Sequence, residues 1–139
     1  AQGAGTPDTT GKPAGSASPT IEKAIADALA QTGKPYVWGG TGPNGFDCSG
    51  LMQHAAAAAG KKIPRVSQDQ YRQLPKVDPK NIKRGDLIFP EDAFPPNSDA
   101  PTHVMMYLGD GTCIAASTQG VPIGKVDLPK SFRATRWAD

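Results

Sequence analysis

Two cysteines, Cys48 and Cys113, and two histidines, His54 and His103, are the side chains in this 139-residue chain best suited to nucleophilic chemistry near neutral pH. Cys48 follows Asp47, a good N-cap, and opens a run in which Leu51, Met52, Ala55, Ala56 and Ala59 share one helical face, with Gly60 as the stop. A cysteine in the first turn of a helix meets unpaired N–H groups and the positive end of the dipole, and both favour thiolate. Cys48 is therefore the candidate nucleophile, although a buried cysteine is as often a plain packing residue. His54 lies six residues further on, about 240° round the helix and ~9 Å along it, so it faces away in a solvated or packing role. His103 leads a β-rich run that can lie beside the helix start, where a base is needed. Two Cys and two His without CxxC or HxxxH spacing give no reason to expect a metal, and no cofactor is expected.

The elements that must position these residues follow from periodicity. Ile21, Ala24, Ile25, Ala28 and Leu29 mark a first amphipathic helix, capped by Ser18 or Thr20, with Pro19 in its first turn and Gly33 and Pro35 as its stop. A short third helix is predicted after Ser67, where Ser67-Gln68-Asp69-Gln70 matches a capping box. Strands are predicted at Asp86 to Phe89, His103 to Leu108, Thr112 to Ala116 and Phe132 to Trp137. The stretch from Pro90 to Pro101 holds four prolines and reads as a loop beside the groove, a candidate cover for it. Helices first and strands afterwards predict an α+β fold, N-terminal helices on a central antiparallel sheet.

Fifteen Lys+Arg against 13 Asp+Glu leave a formal charge of +2, with no basic cluster of the kind nucleic acid requires. No run approaches the ~18 apolar residues of a membrane span, and the chain opens without the charged and apolar regions of a signal peptide. Residues 1–19 contain no aliphatic side chain beyond Ala and no aromatic, so they are expected to be a flexible linker, with the folded domain spanning 20–139.

Five blocks, YVWGG (36–40), FDCSG (46–50), PRVS (64–67), RGDLIF (84–89) and HVMMYLGDG (103–111), occur in the order and approximate spacing of NlpC/p60 cell-wall cysteine peptidases. The chain from about residue 20 to 139 resembles that family, particularly its mycobacterial invasion-associated branch. The resemblance implies a papain-like fold, a secreted or cell-wall-associated monomer, and cleavage of peptidoglycan stem peptides between D-glutamate and diaminopimelate. It implies Cys48 as nucleophile and His103 as base. Tyr36 and the Cys48 N–H would hold the oxyanion, and Trp38, Asp47, Ser49, Arg65 and Ser67 would line the substrate groove. Read without the resemblance, Tyr36 is equally a core residue, Asp47 a cap and Ser49 a solvated helix residue.

One position departs from the pattern. The family places a polar third residue twelve positions after the base, and here that position is Ala115. A Gly109-Asp110-Gly111 loop would pair Leu108 with Thr112 and Met105 with Ala115, putting Ala115 on the His103 face of the sheet. The orienting hydrogen bond to the base is then missing, a loss of about 10⁴ in kcat in Ser-His-Asp enzymes. Ser117 or Thr118 could substitute, without charge. Three readings follow: a stem-peptide-binding domain with weak or absent hydrolysis, which is favoured; an active endopeptidase working through Cys48 and His103; or a structural domain with a Cys48–Cys113 disulfide.

Overall fold

The computed structural model describes residues 17–139. The expected linker falls mainly on residues 1–16, outside the described residues, whereas Ala17 to Pro19 belong to the folded body. Helix α1 spans Pro19–Ala30, with Ser18 as its N-cap accepting from the Ile21 N–H and with Ile21, Ala24, Ile25 and Ala28 buried, the predicted stripe. Helix α2 is Cys48–Ala58, and Asp47 caps it through the Gly50 N–H. His54 turns away from Cys48 as helical phase requires; its Nδ1 lies 2.6 Å from Asp27 of α1 and its ring packs edge-on against Phe46.

Helix α3, Ser67–Gln73, forms where expected but without the capping box, because its N-cap is Val66. The two polar residues of that motif have other partners. Ser67 Oγ donates to the Pro101 carbonyl at 2.8 Å, and Gln70 Nε2 donates to Ser49 O at 3.2 Å and Pro64 O at 2.8 Å. They tie α3 to the proline-rich loop and to the start of α2 instead of closing a helix end.

Six strands follow: β1 (Lys76–Val77), β2 (Leu87–Pro90), β3 (Met105–Tyr107), β4 (Thr112–Ala115), β5 (Gly124–Asp127) and β6 (Phe132–Thr135). All pair antiparallel, in the spatial order β1-β6-β2-β3-β4-β5. The β3–β4 hairpin has the expected register: Met106 opposes Ile114, Tyr107 opposes Cys113, and Leu108 N–H bonds Thr112 O at 2.9 Å. Both edge strands, β1 and β5, were not predicted, since a two-residue strand and the sequence GKVD carry too little alternation to register. His103 stands two residues ahead of β3, not within it.

The sheet is buried on both sides, which is why β2 reads as the unbroken run Leu-Ile-Phe rather than an alternation. Leu87, Phe89, Val104, Met106, Leu108 and Ile114 join the helix-side core with Ile25, Leu51 and Met52, while Ile88, Met105, Cys113, Ala115 and Ala134 form a second cluster on the far side. No helix among the described residues is long and apolar enough to cross a membrane.

The start of α2 is set by a close backbone approach. A Cβ built on Gly50 would sit 2.1 Å from the Gly40 carbonyl oxygen and 2.8 Å from Asp47 Oδ1, so only glycine lets the helix meet the Tyr36 to Gly40 segment. Gly50→Ala should therefore destabilise the domain by about 1–3 kcal/mol through overpacking, read as a lower urea midpoint with an unchanged slope. An unchanged midpoint would show that this approach is slack.

Candidate functional site

A groove of about 230 Å³ opens at the N-terminus of α2, lined by Tyr36, Trp38, Asp47, Cys48, Ser49, Val66, Ser67, Gln68 and Thr102. Its walls come from three places. The turn-rich segment before α2 folds back on itself, with Val37 N–H on Phe46 O at 3.0 Å and Asp47 N–H on Gly40 O at 3.0 Å, and so sets Tyr36 and Trp38 beside Cys48. Helix α3 supplies the opposite wall through Ser67 and Gln68, and Thr102 closes the end nearest the sheet. Trp38 is 81% exposed at the rim, an unusual position for so large an apolar side chain.

Asp47 organises the base of the groove. Its Oδ1 accepts from the Gly50 N–H at 2.6 Å, from Arg65 Nη1 at 3.2 Å and from Ser49 Oγ at 3.3 Å, and its Oδ2 accepts from Arg65 Nη2 at 2.9 Å. Arg65 Nη1 also reaches Ser49 Oγ at 3.0 Å. A carboxylate this enclosed must be paired and hydrogen-bonded, and the forked guanidinium supplies both. Arg65 thus acts from behind, holding Asp47 and Ser49, and is not itself a lining residue.

The Cys48 thiol is gripped by the two peptide groups that flank His103. Sγ lies 3.9 Å from Thr102 O, and the Val104 N–H bonds back to the sulfur. The expected bias towards thiolate is not realised. Burial pushes the thiol above its usual 9.0, and the neighbouring Asp47 carboxylate raises it further, against the lowering effect of the Val104, Ser49 and Cys48 N–H groups. The helix start does supply donors, but the same Asp47 that begins the helix places a negative charge beside the sulfur. Tyr36 is likewise raised, by burial first and then by Cys48 and Asp47.

His103 is half-buried, and burial lowers its pKa below 6.5, opposed by the charge of Asp92. Its backbone brackets the thiol, yet its ring makes no hydrogen bond among the described residues, to Cys48, Ser117 or Thr118. Ala115 pairs with Gly124 and sits 1% exposed in the far-side apolar cluster beside Met105 and Cys113. The β3–β4 ladder stops at Met106 opposite Ile114, so it does not carry His103 into register with Ala115's strand. Neither His103 nor Ala115 lines the groove.

Both cysteines are free, so the disulfide alternative is not formed: Cys48 belongs to the helix-side core and Cys113 to the far-side cluster. Burial raises Cys113 to about 12. The proline-rich loop does not cover the groove. Phe94 packs edge-on against Tyr71 at 5.0 Å under Arg133, and Pro95 and Pro96 line a separate hollow with Glu91 and Arg133, so Thr102 alone of the segment from Pro90 to Thr102 reaches the groove. The grip of Thr102 and Val104 on the thiol had no signal in the sequence, because it is made by backbone. Gln70 did carry one, but its spacing after Ser67 read as a capping box.

Comparison with known proteins places this geometry. A probable endopeptidase of Corynebacterium glutamicum is 41% identical over 119 residues, covering 84% of this chain and 54% of that protein. The chain spans about half the length, or less, of the curated relatives it matches. Among solved structures, the Mycobacterium tuberculosis peptidoglycan hydrolase RipB matches with a TM-score of 0.75 at 33% identity, over 98% of this chain and 77% of that one. M. tuberculosis RipD, described as a non-catalytic NlpC/p60 domain protein adapted to peptidoglycan binding, matches with a TM-score of 0.71 at 31% identity, over 86% of this chain and 98% of that one. With three of the five sequence blocks meeting at one groove and the NlpC/P60 family model matching residues 33–136, the chain belongs to the NlpC/P60 family.

Proposed function

We propose that this domain recognises peptidoglycan stem peptides at the cell wall, as a monomer, and hydrolyses them only weakly. The observation that carries this reading is the contrast between the two halves of the site. The recognition half, Asp47, Ser49, Arg65 and Ser67, is hydrogen-bonded and held in place, whereas among the described residues the ring of His103 has no hydrogen bond to fix its tautomer or its plane. RipB acts on peptidoglycan and RipD is a non-catalytic binder in the same fold, so the family accommodates both outcomes. A groove of about 230 Å³ is small beside typical ligand pockets and suits one or two residues of an extended peptide, with Trp38 flanking them.

The chemistry such a site can perform follows from its charges. Burial raises the thiol above its usual value and lowers the imidazole below its own, and both shifts favour the neutral pair over thiolate and imidazolium. His103 then acts as a general base during attack: the Sγ–H proton moves to the ring as sulfur bonds the carbonyl carbon between D-glutamate and diaminopimelate. The oxyanion is held by the Cys48 N–H and Tyr36, and the proton passes on to the leaving amine as the C–N bond breaks. Water then releases the acyl group. An efficient endopeptidase is the second reading, favoured by the retention of Cys48 and His103 and by the grip of Thr102 and Val104 that keeps them adjacent.

Two measurements test these statements. Because the Cys48 pKa is raised, its alkylation by iodoacetamide should keep climbing through pH 9 with no plateau below pH 8, while Cys113, fully buried, stays unmodified until the protein unfolds; peptide mapping separates the two. A plateau near neutrality would mean a preformed ion pair. In the second, Ala115→His should raise release of muropeptides from purified peptidoglycan at least tenfold, about 1.4 kcal/mol of barrier, and Cys48→Ser should abolish release while leaving retention on peptidoglycan unchanged. Thermal melting identifies any variant that fails to fold. If folded Ala115→His releases no more than the parent, Ala115 is not the cause of weak hydrolysis.

A further inference from the structure

A second hollow adjoins the groove. It has a volume of about 190 Å³ and is lined by Gly33, Pro35, Tyr36, Gly120, Val121 and Pro122. Tyr36 lines both, so groove and hollow share one side chain as a common wall. Burial first, and then Cys48 and Asp47, raise the Tyr36 pKa, which sets its phenol near the sulfur. An extended peptide lying over Cys48 can thus occupy the groove on one side of Tyr36 and the hollow on the other.

The two chain segments that form the hollow are tied to each other. The Gly33 N–H donates to Ile123 O at 2.8 Å and the Ile123 N–H to Lys34 O at 2.9 Å, while the Val121 N–H closes a turn on Thr118 O at 3.2 Å. None of the lining residues is charged. Lys34, next to them in the chain, has its ammonium engaged elsewhere, donating to Gln31 Oε1 at 2.5 Å and to Pro43 O at 2.8 Å. Among the described residues, the large apolar side chains left exposed are Val37, Trp38, Val66 and Val121. Trp38 and Val66 line the groove, Val121 lines the hollow, and Val37 lies between Tyr36 and Trp38 in the chain. Exposed apolar residues scattered singly need no explanation, but these gather about one pair of depressions.

We propose that this hollow is the subsite for the alkyl side chain of diaminopimelate, on the leaving side of the bond presented to Cys48. The proposal rests on the reading of the groove as a stem-peptide site. Of the two residues flanking that bond, D-glutamate is short and carries a carboxylate, which an uncharged apolar wall leaves without a partner, whereas diaminopimelate has a run of methylenes with its charges at the far end. Such a side chain lays its stem along Tyr36, Val121 and Pro122 and keeps its polar tip in water. With no cation lining the hollow to bind the terminal carboxylate, the subsite selects for the stem and not for the tip, and lysine fits it as diaminopimelate does.

The test is an NMR titration of the parent and of Val121→Ser with N-acetyl-γ-D-glutamyl dipeptides ending in diaminopimelate, lysine or alanine, the Val121 methyl signals being assigned by their loss in the variant. In the parent, the diaminopimelate and lysine peptides should bind within about threefold of each other and move the Val121 methyl signals, and the alanine peptide should bind at least about fivefold more weakly without moving them. Val121→Ser should weaken binding of the first two at least about threefold and leave the alanine peptide unaltered. The subsite alone is overturned by an alanine peptide that binds less than about fivefold more weakly, by a lysine peptide more than about threefold weaker than the diaminopimelate peptide, by Val121 signals that stay unmoved, or by a Val121→Ser loss common to all three peptides. If none of the peptides binds the parent, the stem-peptide reading fails, and the subsite with it.

Discussion

The buried carboxylate of Asp47 is the constraint on which the rest of the site depends. It caps α2, fixes Ser49 and binds Arg65 through both oxygens, so the helix that presents Cys48 cannot be oriented separately from the groove floor. Its backbone N–H meanwhile holds Gly40, and Gly50 must lack a side chain for the two segments to meet. A carboxylate enclosed to this extent is costly unless it is hydrogen-bonded, and satisfying it ties Ser49 and Gly50 of the helix start to Arg65 of the segment before α3.

That arrangement has a chemical consequence. A helix N-terminus ordinarily favours thiolate, but an N-cap carboxylate one residue before the sulfur offsets the effect, and burial adds to it. The same burial keeps His103 neutral. On the proposed reading of Cys48 as nucleophile and His103 as base, the two rest as an uncharged pair, and catalysis by such a pair is sensitive to how well the imidazole is held when charge develops on it. A ring with no hydrogen bond among the described residues is poorly suited to that task, whereas the proposed recognition, resting on the Asp47, Ser49 and Arg65 network, does not require it.

On the proposed reading of Ala115 as the third position, the far face of the sheet accommodates it without damage to the fold. Ala115 is packed among Met105, Cys113 and Ala134, so a small apolar residue there completes a core. On that reading the stability of the sheet and the orientation of the base make opposite demands on this one position.

What the sequence by itself determined is whatever follows from local chemistry and short-range period. The α1 stripe, the Asp47 cap, the register of the β3–β4 hairpin and the α+β class each depend on residues a few positions apart, and each was legible. That Ala115 stands where the resembling family places a polar residue was visible there too. The tertiary structure decided the rest, wherever a long-range partner overrode a local preference. Ser67 and Gln70 look like a cap until Pro101, Ser49 and Pro64 compete for them, and β1 and β5 acquire strand character only from the neighbours they pair with. The ionisation of Cys48 depends on burial and on Val104, a residue 56 positions away. Backbone groups carry no signature in sequence, so the grip of Thr102 and Val104 on the thiol could not be read before the chain was folded.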